Sequence, residues 1–281
     1  MRRAAAAATL RPNVVRARRC RRVRKHARPE GAPPLSDQRS PDEGPQPAPS
    51  WLIQEHYDDT DLGVLKEGKE AVCNLVLRTS QDDDRRHLLV SKSYRAVKHR
   101  AFRNDTIYRH TTGSSTADKA IRLRTDTGLA ILNDVNAERE FDVLSALWAA
   151  GHSVPYPVSR LGTELVLEFL GDEEVAAPRL VAARLSAVEA VEALDTVFAL
   201  CADMLSRGWV HGDLSPFNVL WHRERAYVID FPQTMDLGTH PMALDVLHRD
   251  VVTMCDWARR RGATPPDPDE AFATMLSAQF G

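Results

Sequence analysis

The amino-acid sequence predicts an α+β fold in two lobes, a small antiparallel-sheet lobe with one main helix and then a mostly helical lobe. Two observations predict it. Short strand-like apolar runs come first along the chain, joined by a single long amphipathic helix, and helical periodicity dominates afterwards. A length of 281 residues with 43% apolar and 27% charged side chains is enough for two lobes around a cleft. No run of about 18 apolar residues offers a membrane span. Cys20, Cys73, Cys201 and Cys255 lie far apart without metal-ligand spacing, so they read as free thiols of a cytoplasmic protein.

Residues 1–50 should form a basic, then Pro-rich, disordered tail. The first 30 residues carry a formal charge of +10, and the remaining 251 carry −12. Such a tail buries too little apolar surface to offset its ordering entropy. A mildly acidic body with a basic arm is not a nucleic-acid-binding domain by composition.

The sheet lobe is expected over 51–170. Residues 62–77 read as two short strands broken at Gly68, and 87–94 as a third after a turn at Gln81-Asp82-Asp83-Asp84. Residues 98–128 hold seven Lys/Arg and three Asp without periodicity and read as a flexible loop. Residues 130–150 read as a helix with Phe141, Leu144, Leu147 and Trp148 on one face, stopped by Gly151. Residues 158–170 read as a hairpin turning at Arg160-Leu161-Gly162-Thr163.

The helical lobe is expected over 171–281. Residues 188–207 place Val191, Leu194, Phe198, Cys201 and Leu205 on one face, with Gly208 as the stop. Tyr227-Val228-Ile229 reads as a short buried strand, and 242–261 as another helix.

The chemistry lies between those two helices. His211-Gly212-Asp213-Leu214-Ser215-Pro216-Phe217-Asn218 has the form H-x-D-x-x-x-x-N of a kinase catalytic loop, and Asp230 follows 17 residues beyond Asp213. Phosphoryl transfer needs positioning, charge neutralisation and an acceptor for the attacking hydroxyl's proton. Asp213 suits the last task. Asn218 and Asp230 offer the hard oxygens that Mg²⁺ requires. His211 has no polar partner in sequence and reads as structural. The sequence thus predicts a two-lobed, protein-kinase-like fold.

That reading calls for three upstream parts, and each has a candidate. Gly68-Lys69-Glu70-Ala71 sits between two strands, where a phosphate-covering loop belongs. Lys92 lies in a strand. Glu140 borders the apolar stripe of the 130–150 helix and could pair with Lys92, with Glu138 as its competitor.

Gly68-Lys69-Glu70-Ala71, Lys92 in its strand, His211 to Asn218 and Ile229-Asp230-Phe231-Pro232-Gln233 together resemble the RIO family of atypical protein kinases. Val154-Pro155-Tyr156-Pro157-Val158, Leu167-Glu168-Phe169-Leu170-Gly171, His240-Pro241 and Arg249-Asp250-Val251 fit the same family, and the likeness looks closest to bacterial members of a type-one-like subgroup. The resemblance implies a non-specific serine/threonine protein kinase that uses ATP with Mg²⁺ or Mn²⁺ and phosphorylates serine, its own included. It implies that Lys69 covers the phosphates, that Lys92 contacts phosphate and pairs with Glu140, and that Glu168 to Leu170 meet adenine. Asp213, as acid/base, and Lys92 would be the catalytic residues, and Asn218 and Asp230 the metal ligands. It also implies a phosphoaspartate at Asp230 within a slow ATPase cycle.

The chain departs from the family at Val72-Cys73-Asn74, where a valine-aromatic pattern is usual. Only nine residues separate Asp230 from His240 and no Ala-Pro-Glu follows, so the helical lobe should be compact and lack an activation segment. Two other readings share these motifs. One is a small-molecule phosphotransferase of the aminoglycoside or choline kinase kind, which has His-Gly-Asp-x-x-x-x-Asn but not usually Gly-Lys-Glu-Ala with Ile-Asp-Phe-Pro-Gln. The other is an ATP-switched, ribosome-associated assembly factor that meets RNA or protein through residues 1–28 and 98–128.

Overall fold

Residues 48–95, 123 and 125–280 are described by the computed structural model. All but the last three residues of the expected tail lie outside the described residues, as does most of 98–128. Strands β1 (Tyr57–Glu67), β2 (Ala71–Ser80) and β3 (Arg86–Tyr94) form an antiparallel meander. Helix α1 (Asp126–Ala149) precedes the hairpin β4 (Pro157–Leu161) and β5 (Glu164–Glu168), and the sheet order is β1-β2-β3-β5-β4. Alternation along β3 buries Lys92 and Tyr94 on one face.

Helix α1 starts four residues before the expected position. The Thr125 hydroxyl accepts from the Gly128 backbone N–H at 3.1 Å and caps the first turn. Its buried face carries Asn133, Asn136 and Glu140 beside Leu132, Val143 and Leu144, which hides the apolar period in sequence.

Across the lobe boundary come two-residue strands β6 (Gly171–Asp172) and β7 (Val175–Ala176), then α2 (Ala187–Ser206). A reciprocal Ser186–Glu189 capping box opens α2, and Gly208, at φ 74°, follows its end. Strand β8 (Trp209–Val210) pairs with β11 (Met235–Asp236), enclosing β9 (Val219–His222) and β10 (Arg225–Val228), themselves a hairpin. Helices α3 (Ala243–Arg259) and α4 (Pro268–Phe280) complete the lobe. Leu194, Val197, Leu200, Val251, Met254 and Trp257 are almost fully buried between α2 and α3, and the Trp257 indole N–H donates to the Leu180 carbonyl at 3.2 Å.

Two features escape the sequence reading. The expected single strand at 227–229 is half of a hairpin whose turn residues, Arg223 and Glu224, have φ of 48° and 59°. That mirror-image turn normally announces itself by Asn-Gly or Asp-Gly. Helix α4 is also new, although Asp267 accepts from the Asp269 backbone N–H at 2.9 Å and Pro268 occupies the first turn. The short path from Asp230 to α3 leaves no room for an activation segment. Among the described residues no helix is long and apolar enough to cross a membrane.

Candidate active site

The site is built on the two short ladders of the helical lobe. The β8–β11 pair brings His211-Gly212-Asp213, leaving β8, against Pro232-Gln233-Thr234, entering β11. Gly212, at φ 88°, is required there, because a Cβ would come within 2.2 Å of the Gln233 carbonyl oxygen. At the open end of the β9–β10 hairpin the Ile229 N–H donates to the Asn218 carbonyl at 2.9 Å. Asn218 and Asp230, twelve residues apart in sequence, therefore stand side by side. Asp230 itself has φ 73°, a left-handed conformation that costs a non-glycine residue about 1–3 kcal/mol and marks functional positions.

Lys92 links the two lobes. Its ammonium donates to Glu140 Oε1 at 2.7 Å and to Asp230 Oδ1 at 2.8 Å. Glu140, 1% exposed, also accepts from the Tyr94 hydroxyl at 2.5 Å and the Phe231 N–H at 3.2 Å. The competitor Glu138 is exposed and lies 3.6 Å from Arg160. Burial alone would lower the Lys92 pKa, but the Asp230 and Glu140 carboxylates outweigh it and hold it well above its ordinary value. Burial would raise the Asp230 carboxyl, and Lys92 holds it below the usual range instead. Burial and the Glu140 charge raise the Tyr94 phenol far enough to keep it a donor.

Asp213 sits in the opposite regime. Burial and the neighbouring Asp230 charge raise its carboxyl, against the pull of Asn218 and Arg249. The Asn218 amide Nδ2 donates to the Asp213 carbonyl at 2.8 Å and to its carboxylate at 3.2 Å. His211 is buried with its ring against Phe231, centroids 4.9 Å apart, and burial pushes its pKa down to about 4. It is therefore a neutral support beneath the loop.

Two residues that sequence reasoning assigned only by resemblance, and without a role, hold this loop in place. Asp250 on α3 accepts from the Leu214 N–H at 3.2 Å and from Arg249 at 2.8 Å, while Arg249 also donates to the Gly212 carbonyl at 2.9 Å. Tyr94, which bonds Glu140 and not this loop, read in the sequence only as the end of a strand; its spacing of two from Lys92 was the available signal.

These side chains face a cleft of about 1130 Å³, lined from both lobes. That is slightly above the roughly 300–1,000 Å³ of most ligand sites, so a nucleotide fits. Lys69, Lys92, Glu140, Glu168, Leu170, Asp213 and Asp230 all line it, whereas Asn218 stands behind Asp213. Glu168 Oε2 accepts from the Tyr156 N–H at 3.0 Å, and its backbone N–H returns to the Tyr156 carbonyl at 2.8 Å, which fixes the segment between the lobes.

The donor set fits a magnesium ion. Asp230 keeps Oδ2 beyond its contact with Lys92, and Asn218, donating through Nδ2, keeps its amide oxygen. Among the described residues no group of three or more His, Cys, Asp or Glu side chains forms a cation cage. An ion held here would take one carboxylate, an amide oxygen and substrate phosphates.

Fold and site together define a protein of the kinase-like class. The sequence model of the RIO domain matches residues 78–271, and the chain belongs to the RIO family. The RIO-type serine/threonine-protein kinase Rio1 of Haloferax volcanii is 30% identical over 217 residues, covering 75% of this chain and 68% of the relative. Its Thermoplasma acidophilum counterpart is 34% identical over 133 residues, covering 47% and 67%. Serine/threonine-protein kinase RIO3 of Caenorhabditis elegans is 32% identical over 223 residues, covering 78% of this chain but 40% of the relative. This chain thus spans well under half the length of that larger protein. The Rio2 kinase of Chaetomium thermophilum, in an ADP/Mg²⁺-phosphoaspartate complex, shares the fold with a TM-score of 0.52 at 22% identity, over 76% of this chain and 62% of that one.

Proposed function

We propose that the cleft binds ATP with Mg²⁺ or Mn²⁺ and transfers the γ-phosphoryl group to a serine hydroxyl of a protein, this chain included. The observation that best supports this is Lys92, held between Glu140 and Asp230 on the wall of the cleft that Asp213 also lines. Glu140 aims the Lys92 ammonium at the phosphates, and Lys69 covers them from the loop between β1 and β2. The Glu168 to Leu170 segment receives adenine. Asp213, steadied by Asn218, takes the serine proton as the new O–P bond forms and the β–γ bridge breaks to release ADP. Bound at Asn218 and Asp230, the cation would neutralise phosphate charge.

Asp230 is the second acceptor in this reading. Its carboxylate oxygen attacks the γ-phosphorus, ADP leaves, and water hydrolyses the acyl phosphate, giving a slow ATPase. The net charge of +10 over residues 1–30 supports contact with RNA or a ribosomal surface through the basic segments. Cys73, Cys201 and Cys255 are free thiols, which supports a reducing, cytoplasmic setting.

The test is incubation with γ-labelled ATP and Mg²⁺ in the presence of a generic protein or small alcohols, followed by mapping of the label. Label on serine, lost in both Asp213→Asn and Asp230→Ala, or label on Asp230, lost in Asp230→Ala, is expected. Label on the alcohols alone, or none anywhere with no phosphate released, would overturn the proposal.

A further inference from the structure

Lys66 is a cleft-facing lysine that no motif singles out. It lies on β1, opposite Cys73 of β2, and Cys73 in turn lies opposite Lys92 of β3. Residues directly opposite across antiparallel strands share a face, so Lys66 and Lys92 point the same way, two strands or about 10 Å apart. A bulge produces this. The register runs Val64 to Asn74 and then jumps to Lys66 with Cys73, skipping Leu65. Without the extra residue Leu65 would oppose Cys73, and Lys66 would turn to the outer face.

Across the cleft stands Arg179, which lines the same cavity. Its backbone is fixed by a bridge to Leu220 and by Ala182 and Ala183 N–H groups donating to its carbonyl at 2.8 Å. Its guanidinium donates to the Phe217 carbonyl and has further N–H donors to offer. Among the described residues Lys66 has no hydrogen bond or ion pair. Burial, and then the Arg179 charge, lower the Lys66 pKa, while Asp230 acts in the opposite sense. Two cations thus line the cleft from opposite sides, and neither forms an ion pair among the described residues.

We infer that Lys66 and Arg179 form a phosphate clamp between the lobes, closing on one phosphate of the nucleotide chain that extends toward Lys92. The inference rests on the ATP reading above and adds two residues to it. In the empty cleft the pair repels and favours an open mouth; a phosphate between them reverses the sign of that interaction and draws the sheet lobe down.

The experiment is calorimetric titration of the full chain with Mg·ATP and with adenosine, using wild type, Lys66→Ala, Arg179→Ala and the double variant. Each single change should weaken ATP about five- to tenfold, the scale of one partly exposed charge-assisted hydrogen bond. Adenosine affinity should stay within twofold, and the double variant should lose less than the product of the singles, because both groups hold one phosphate. Lys66→Glu should be worse than Lys66→Ala. Arg179→Lys keeps the charge and should retain most of the affinity, which separates the clamp from a folding defect. Unchanged ATP affinity in the single variants, an equal loss for adenosine, or a strictly multiplicative double variant would overturn the clamp. Wild type that fails to bind ATP would instead refute the reading beneath it.

Discussion

Replacing Glu140 by Gln changes no shape and removes one charge at the junction of the lobes. Glu140 is 1% exposed and accepts from three donors: the Lys92 ammonium, the Tyr94 hydroxyl and the Phe231 N–H. The amide that replaces the carboxylate has one acceptor oxygen and points an NH₂ at one of those donors. Lys92, 8% exposed, then relies on Asp230 alone. Breaking a buried ion pair costs about 3–5 kcal/mol, and the surviving Asp230 contact trims this to roughly 2–4 kcal/mol. Urea unfolding should show that loss as a lower midpoint at constant m. Glu138→Gln, at an exposed ion pair, should stay within about 0.5 kcal/mol of wild type. The double variant Glu140→Gln/Lys92→Met should be more stable than the sum of the singles by about 1–3 kcal/mol, since no cation is left uncompensated. A Glu140→Gln loss no larger than that of Glu138→Gln would refute the assignment of Glu140 as the lysine's partner.

Asp213→Asn should cut phosphoryl transfer by about 10²–10⁴-fold with ATP affinity retained, since it removes the proton acceptor and little else; single-turnover kinetics beside calorimetry would separate the two. Gly212→Ala should destabilise by roughly 2–5 kcal/mol, from its positive φ and the 2.2 Å approach to the Gln233 carbonyl, read as a fall in thermal midpoint. Asp250 has a carboxyl pushed up to about 6 by burial, above its unfolded value, so the folded state binds its proton more tightly. The stability of wild type relative to Asp250→Asn should therefore fall by about 2–3 kcal/mol as pH rises from roughly 4 to 6, and level off above that. Denaturant titrations across that range would expose a rise or a flat line, either of which contradicts the burial argument.

The fold class was legible because period-2 runs, one long helix and period-3.6 runs follow one another in sequence, and each lobe inherits its own pattern. The candidate site was legible where its geometry is local. The spacing from Asp213 to Asn218 lies within one loop, and that from Asn218 to Asp230 within one hairpin. Contacts across long sequence separations were less readable. Lys92 and Glu140 are 48 residues apart, and only their placement in space distinguishes Glu140 from Glu138. The turn at Arg223 and Glu224 carries no glycine or asparagine, so tertiary context, not propensity, sets its left-handed backbone. Arg249 and Asp250 sit on a helix surface pattern that any solvated face would show; their bonds to Gly212 and Leu214 appear only once α3 docks beneath the loop.

The proposed mechanism needs Asn218 and Asp230 to hold a divalent cation against the nucleotide phosphates beside Lys92 and Asp213. A crystal structure of the chain with Mg²⁺ and a non-hydrolysable ATP analogue tests it directly. The predicted result is an ion about 2.0–2.1 Å from the Asn218 amide oxygen and an Asp230 carboxylate oxygen, with the terminal phosphate between Lys92 and Asp213. A nucleotide whose phosphates lie away from these four side chains, or an ion bound without either ligand, would contradict it.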